Sequence, residues 1–401
     1  MDQGEQATQV VFTGTRRELG GLLLRGYLLL IPTIGLYRFW LTTWKRRFYW
    51  GHTEIGGDAL EYTGNAVQLL LGFLMALAVF VPLYGLFFYL STQSTETALI
   101  GYGGAAVLIW FLMGYAIYRA RDFRLSRTLW RGIRFDQTGS ALGYAFRRFF
   151  WSLLLVVTAG LSYPFMAASL WSYRYSHSWY GDRRFSFTGS WKQLAKPYYA
   201  AWFASAVIGV VGFVMGANMG ASPTGGPPAP AFYGPVAVAA LLIGLLVLYY
   251  QSRELSLMYS AVRLGGAALT VKVRARALAG QYGLFGLGLF CSYVLLAIGG
   301  FIVLGVLAAD AFAGGEFDMA VFMQHLQQSF LVLLAIVFGY LLLLGAFTLM
   351  VELFLGLGFW KLVAQGASIT GLASLDGVKA RGEDRALAGE GLADALNVGA
   401  Y

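Results

Sequence analysis

The chain has 401 residues, of which 58% are hydrophobic and only 12% charged, and its mean hydropathy is +0.62. A water-soluble domain carries about 25% charged residues, so the composition excludes an ordinary soluble enzyme. The net charge of +9 is confined to blocks: Lys and Arg occupy 16–47, 119–148, 174–196, 253–276 and 361–385, and 48–118, 197–252 and 277–360 hold none. Cations beside apolar segments fit anionic lipid headgroups and argue against nucleic acid.

Taken in chain order, Met1 to Gly20 is polar and lacks the apolar core of a signal peptide. Insertion without cleavage is the expectation. Residues 19–44 form an apolar segment flanked by Arg16/Arg17 and Lys45 and interrupted at Pro32–Gly35. Spans follow at 66–91 and 98–118. A second interrupted segment, 143–171, lies between Arg147/Arg148 and Arg174, with its break at Gly160–Pro164. Further spans are expected at 199–218, 232–252, 281–308 and 329–355, each long enough for a bilayer.

The loops Thr92–Thr97, Ala217–Pro235 and Ala309–Gln328 contain no Lys or Arg. By the positive-inside rule they lie outside, and every basic block and both termini are cytoplasmic. The two interrupted segments have basic residues at both ends and are too short to cross twice. They read as broken, re-entrant or interfacial helical hairpins. The rival reading, a single crossing at each, puts half the basic blocks outside.

An internal repeat runs through this pattern. Thr33-Ile34-Gly35-Leu36 matches Thr158-Ala159-Gly160-Leu161 at an offset of 125, and the register continues through His52/His177, Gly56/Gly181 and Thr63-Gly64/Thr188-Gly189. Phe12-Thr13-Gly14 echoes Tyr62-Thr63-Gly64, and Gly132, Phe135 and Thr138-Gly139 keep the spacing of Gly57, Leu60 and Thr63-Gly64. Gly56-Gly57, Gly181-Asp182 and Gly265-Gly266 suit tight turns. The residues after them alternate apolar and polar, as in half-buried strands. Short cytoplasmic β-hairpins are therefore expected, with a strand near Gln9–Gly14 able to join them in one layer.

The predicted fold is an α-helical polytopic membrane protein with six full spans, two broken hairpins and these β-hairpins. Its layout is 1–126, 127–252 and a divergent 253–360, followed by a cytoplasmic tail, 361–401. Ala386–Ala395 in the tail suits a short amphipathic helix.

The chain resembles the YjgN-like bacterial inner-membrane proteins, a family classed as a domain of unknown function. The resemblance rests on Phe12-Thr13-Gly14, the run Thr33 to Trp40, Lys45-Arg46-Arg47-Phe48-Tyr49, and His52-Thr53 leading to Tyr62-Thr63-Gly64. Lys379 to Asp384 and Gly389 to Leu396 match at the far end. It implies a multi-pass protein of a Gram-negative inner membrane and brings no catalytic residues with it.

No catalytic set and no cofactor motif stand out, so an enzyme ranks last. His52 and His177 hold equivalent places and could bind a metal or sense pH, but no neighbouring ligand completes a zinc set. Capping or headgroup contact is the plainer role. His325 falls in an outer loop without a partner, and the lone Cys291 permits no disulfide. Gly101, Gly103 and Gly104 fit close helix packing.

Charges inside apolar segments are the sharper candidates, because an intramembrane charge is costly unless it is paired or wet. They are Glu18, Arg25 and Arg38 in the first broken segment, Arg147 and Arg148 in the second, and Glu352. Glu352 is the only charge between Gln328 and Trp360. An interhelical ion pair is the competing explanation for it, and snorkelling for the arginines. Two functions follow as expectations. One is transport or redistribution of a small or lipid-like substrate around broken helices. The other is a scaffold that binds a protein partner through the cytoplasmic layer and tail. Anionic headgroups are expected partners in both.

Overall fold

The computed structural model describes residues 7–220, 228–312 and 317–381. It divides into two compact units: Met1–Gly14, Leu36–Leu278 and Leu362–Tyr401 form one, and Thr15–Gly35 with Ala279–Lys361 form the other.

The order begins with β1 (Thr8–Phe12), α1 (Arg16–Leu30), α2 (Arg38–Gly51), β2 (Thr53–Ile55), β3 (Asp58–Ala59) and β4 (Glu61–Tyr62). It continues through α3 (Ala66–Ser91), α4 (Thr95–Ser126), β5 (Thr128–Trp130), β6 (Ile133–Gln137), α5 (Ala141–Val157) and α6 (Tyr163–Ser176). Next come β7 (Ser178–Tyr180), β8 (Arg183–Phe187), α7 (Trp191–Gly220), α8 (Tyr233–Tyr259), β9 (Val262–Leu264) and β10 (Ala267–Val271). The chain then adds α9 (Ala275–Leu307), α10 (Met319–Gln328), α11 (Phe330–Met350), α12 (Leu357–Gln365) and β11 (Ala367–Thr370).

Among the described residues, six helices are long and apolar enough to cross a membrane: 66–91, 95–126, 191–220, 230–259, 275–307 and 330–365. The chain is thus a membrane protein built on helices. Several helices outrun the apolar stretches that predicted them. The segment expected at 98–118, for example, extends to Ser126 through Arg119, Asp122 and Arg124. The loop expected at 309–328 contains α10. Residues 386–395, expected as a helix, lie outside the described residues.

The strands go further than the expected layer of short hairpins. All eleven join one antiparallel sheet in the order β3-β2-β1-β11-β10-β9-β8-β7-β6-β5-β4. Its two outermost strands, β3 and β4, are separated in sequence by Leu60 alone, so the segment Asp58–Tyr62 pairs with β2 on one side and β5 on the other. The sheet closes on itself, which removes the exposed edges that short strands otherwise present. β11 lies within a stretch that composition reads as tail, and it bridges β1 and β10.

The enclosed core consists of Trp130, Tyr180, Leu264, Ala267, Leu375 and Val378, with Ile55, Leu60, Ile133, Phe135, Phe185, Ile369 and Leu372 packed against it. It is filled by side chains, not open as a pore. Tyr180 donates its hydroxyl to Trp130 O at 3.0 Å, and burial pushes its phenol up to about 12.

One short motif organises the joints between sheet and helices. In Phe12-Thr13-Gly14, Tyr62-Thr63-Gly64, Gln137-Thr138-Gly139 and Phe187-Thr188-Gly189 the threonine closes a strand onto the end of a helix. Its backbone N–H donates to His52 O at 3.0 Å, Arg127 O at 2.9 Å, His177 O at 2.8 Å and Ala261 O at 3.0 Å, respectively. Its hydroxyl donates to the same carbonyl in each case. The glycine is needed because a neighbouring ring lies over it: a Cβ on Gly14 would stand 2.7 Å from Phe12, and one on Gly139 would stand 2.8 Å from His177. In the first three copies the next residue, Thr15, Asn65 or Ser140, caps the following helix by accepting from Glu18, Val67 or Gly143 N–H.

Many arginines of the basic blocks also serve these joints. Arg134, Arg184 and Arg263 donate to the last carbonyls of helices at Ser126, Ser176 and Ser260, at 2.9, 2.5 and 2.6 Å. A cation suits the negative end of a helix dipole and its unbonded carbonyls. Arg121 in α4 reaches Gln137 Oε1 at 2.5 Å, Ser178 Oγ at 2.8 Å and Arg174 O at 3.3 Å, tying α4 to β6, β7 and α6. Its guanidinium also lies 4.8 Å from the Tyr175 ring.

Replacing Arg121 strands those acceptors. Arg121→Met is expected to lower stability by about 2–3 kcal/mol, read as a lower thermal midpoint in detergent. Arg121→Lys should recover only part, since one ammonium cannot reproduce the planar fork. Arg183→Met removes an exposed side chain 3.9 Å from Asp182 and should shift the midpoint by less than ~0.5 kcal/mol. Equal effects at Arg121 and Arg183 would show that Arg121 holds nothing together.

Candidate functional site

The apolar helix that ends the chain's membrane region is not regular. Between α11 and α12, Val351–Gly356 forms a π-helical turn, in which Leu357 N–H bonds to Glu352 O, five residues back. Such widened turns disturb the normal ladder and recur at functional positions. Glu352, the sole charge of this run, is buried with 8% of its surface exposed.

The surrounding groups belong to the same unit. Arg16, in the first turn of α1, donates from Nε to Leu353 O at 3.3 Å and from its terminal nitrogen to Gln281 Oε1 of α9 at 2.8 Å. Its guanidinium stacks 4.9 Å from the Phe354 ring. Gly20 of α1 presents its bare backbone to Leu353, where an added Cβ would make ordinary contact at 3.7 Å. Tyr27, two turns further along α1, lies within electrostatic reach of Glu352. Arg16 and Gln281 thus tie α1 and α9 to the widened turn through Leu353 O, and Tyr27 is the phenol within electrostatic reach of its carboxylate.

The other predicted residues are placed as follows. Glu18 belongs to the capping box of α1, its Oε2 accepting from Thr15 N–H at 3.0 Å. Arg25 is exposed on α1. Arg38 lies 5.2 Å from the Phe39 ring and 5.1 Å from Phe73.

His52 and His177 follow α2 and α6 as caps. Nδ1 of His52 donates to Phe48 O at 2.8 Å and Nδ1 of His177 to Tyr173 O at 2.7 Å, each ring also packing on that aromatic at 4.4 Å. Among the described residues, no group of three or more His, Cys, Asp or Glu is placed to hold a metal ion. The side chain of His325 lies outside the described ones.

The two helix breaks share unusual backbone. Ile34 and Gly35 have φ of 50° and 83°, and Ala159 and Gly160 have 49° and 94°. Gly35 N–H bonds to Leu30 O at 2.9 Å and Gly160 N–H to Leu155 O at 2.8 Å, while Thr33 and Thr158 donate back to Leu29 O and Leu154 O at 2.6 and 2.7 Å. Left-handed conformations are strained for Ile and Ala.

At the second break α7 covers the freed carbonyls. Trp202 Nε1 donates to Ala159 O at 3.1 Å, Tyr198 to Gly160 O at 2.7 Å and Tyr199 to Leu161 O at 3.0 Å. The positions 125 residues before these three are Leu77, Phe73 and Leu74, which have no side-chain donor.

One group escaped the sequence reading. Glu254, beside Arg253 in a basic block, carries no local signal that singles it out. It accepts from the Tyr163 hydroxyl at 3.1 Å and the Trp171 indole at 3.2 Å. Tyr163 stacks on Tyr198 at 5.2 Å and meets Tyr250 edge-on at 5.8 Å. Burial and the nearby carboxylate both raise the pKa of Tyr163, keeping its phenol protonated as the donor.

The chain belongs to the bacterial family DUF898. That family, described as a bacterial protein of unknown function, matches residues 7–292, which takes in both breaks and ten of the eleven strands. The YjgN-like resemblance read from the sequence is to this same family. No curated protein and no solved structure matches the chain. Glu352 and β11 lie beyond the matched segment.

Proposed function

We propose that this DUF898 protein resides in the bacterial inner membrane with its closed sheet on the cytoplasmic side, and that it moves or redistributes a small or lipid-like substrate. The observation behind this reading is Glu352: a buried carboxylate, in a π-turn of a membrane-length helix, within electrostatic reach of Tyr27, with Arg16 bonded to the carbonyl of the next residue. A charge kept at such a place without a role in function is expensive. The broken segments 33–64 and 158–189, with their shared left-handed residues and helix-end bonds, are copies of one unit in this proposal. Broken helices beside charges are the usual framework of a moving substrate site.

The test is reconstitution. Proteoliposomes containing phosphatidylethanolamine with a fluorescent headgroup are treated with dithionite, which bleaches only the outer leaflet. The protein is expected to expose the protected inner pool several-fold faster than protein-free vesicles. Equal rates would overturn the lipid version of this reading.

Orientation has its own test. In a Cys291→Ser background, cysteine at Ser94 should react in intact cells with a thiol reagent that cannot enter, and cysteine at Ser140 or Ser190 should not. Labelling of Ser140→Cys or Ser190→Cys would reverse the assignment.

A further inference from the structure

The broken segment α5–α6 brings no acid of its own to its arginines. Residues 137–181 include Arg147, Arg148 and Arg174 and not one Asp or Glu. Arg147 is exposed on α5, and its ionic partner is missing among the described residues. Its contacts are to neutral groups: it donates to Ser169 Oγ at 3.0 Å and lies 5.2 Å from the Tyr173 ring. Trp151 also donates to Ser169 Oγ, at 3.2 Å. With both bonds accepted, the Ser169 hydroxyl keeps its own proton to give outward.

Beside this cluster lies an open groove of about 390 Å³, lined by Arg147, Phe150, Trp151 and Leu154. The spacing places all four on one helix face, with the cation at one end and an apolar floor running about 10 Å up the helix. Arg147 sits six residues after the start of α5, about 9 Å from the sheet end. With the sheet at the membrane face, that depth falls near the headgroup layer.

We propose that this groove binds one phospholipid, its phosphate held by Arg147 and the Ser169 hydroxyl and an acyl chain lying along Phe150, Trp151 and Leu154. A phosphate supplies the anion that Arg147 lacks and the acceptor that Ser169 needs. The apolar floor selects a lipid over free phosphate. Trp151 does two things, pinning Ser169 through its indole N–H and packing its ring against the chain. The proposal rests on the lipid-handling reading above but does not need movement. Binding with no flux would leave this site standing, and flux with no binding here would leave the other.

The test uses the full chain in detergent and phosphatidylglycerol with brominated acyl chains, a contact quencher of indole fluorescence. Saturable quenching is expected, and most of it should vanish in Trp151→Phe, which locates the lipid. Arg147→Gln should raise the half-saturating concentration about tenfold or more, the effect of losing a charge-assisted contact. Arg147→Lys should recover part of it. Brominated diacylglycerol, which lacks the phosphate, should bind at least tenfold more weakly, and millimolar inorganic phosphate should not compete. Arg147 is exposed, so an unchanged thermal midpoint checks that Arg147→Gln still folds. Equal quenching in wild type and Arg147→Gln, undiminished quenching in Trp151→Phe, equal binding of the diacylglycerol, or displacement by inorganic phosphate would each overturn the proposal.

Discussion

A chain stopped after Gly366 should lose the closed sheet, whereas one stopped after Arg381 should keep it. β11 is the only strand between β1 and β10. It pairs Ile369 with Thr8 and with Leu269, and Ala367 with Val271. Removing it opens a ring that has no other way to shut. The residues after it matter as much. Gly371 turns with φ of 70°, and Leu375 and Val378, each 7% exposed, enter the core beside Trp130 and Tyr180. Arg131 grips this segment from the sheet, 2.9 Å from Asp376 and 2.6 Å from Asp58.

Burying two such side chains stabilises by about 3–6 kcal/mol together, before the strand's hydrogen bonds are counted. That is comparable with the roughly 5–15 kcal/mol that holds a whole domain. The shorter chain should therefore yield little monodisperse protein on size exclusion, and the longer one should behave like wild type. A gentler probe is Gly371→Ala, whose Cβ would stand 2.5 Å from Gly266 O at a left-handed position. It should cost about 1–3 kcal/mol. Normal yield and midpoint from the chain ending at Gly366 would show that the sheet does not need closure.

The helices were legible because an apolar run of membrane length is a local signal. So were the turns: of the residues expected there, Gly56, Gly57, Gly181 and Gly265 adopt positive φ, as tight hairpins require. The closure of the sheet was not legible, since it depends on pairings such as Thr8 with Ile369 that no local pattern encodes. Strands of two to five residues carry too little alternation to announce partners. β11, with the sequence Ala-Ser-Ile-Thr, is the extreme case, hidden in a stretch that reads as tail. The Thr-Gly motif, preceded by an aromatic residue in three of its four copies, was visible as a recurrence. Its role in stitching a strand to a helix end needed the carbonyls of His52, Arg127, His177 and Ala261 to be placed.

The site divides in the same way. Glu352 could be found because one charge in an apolar run stands out. Its neighbours could not, because Arg16 reaches Leu353 and Gln281 across 337 and 265 residues of sequence. Glu254 lies in a basic block beside Arg253, and nothing in that pattern marks it as a half-buried acceptor for Tyr163 and Trp171. The basic blocks carried two meanings at once. Arg134, Arg184 and Arg263 bond to helix ends, while Arg147 has no counterion among the described residues. Charge patterning alone cannot tell an arginine that bonds a helix end from one that, among the described residues, has no counterion, because both lie beside the same apolar helices.

Glu352→Gln should abolish movement of the labelled lipid while leaving the protein at least as stable as wild type. Glutamine keeps the shape and one carbonyl acceptor but removes the charge. A buried carboxylate pays a desolvation penalty of several kcal/mol that its contacts must offset, so a neutral isostere relieves strain instead of adding it. If the charge serves the substrate, flux falls to the rate of protein-free vesicles as the thermal midpoint stays level or rises. That opposition of activity and stability marks a residue kept for function. Arg16→Gln is the contrast. It removes the bonds to Leu353 O and Gln281 that hold the π-turn, and should lower stability by about 1.5–3 kcal/mol. A purely structural Glu352 predicts the reverse of the first result: a clear fall in midpoint, with flux retained in whatever protein remains folded. Measuring both quantities on both variants separates the two, because only a functional carboxylate loses activity without losing stability.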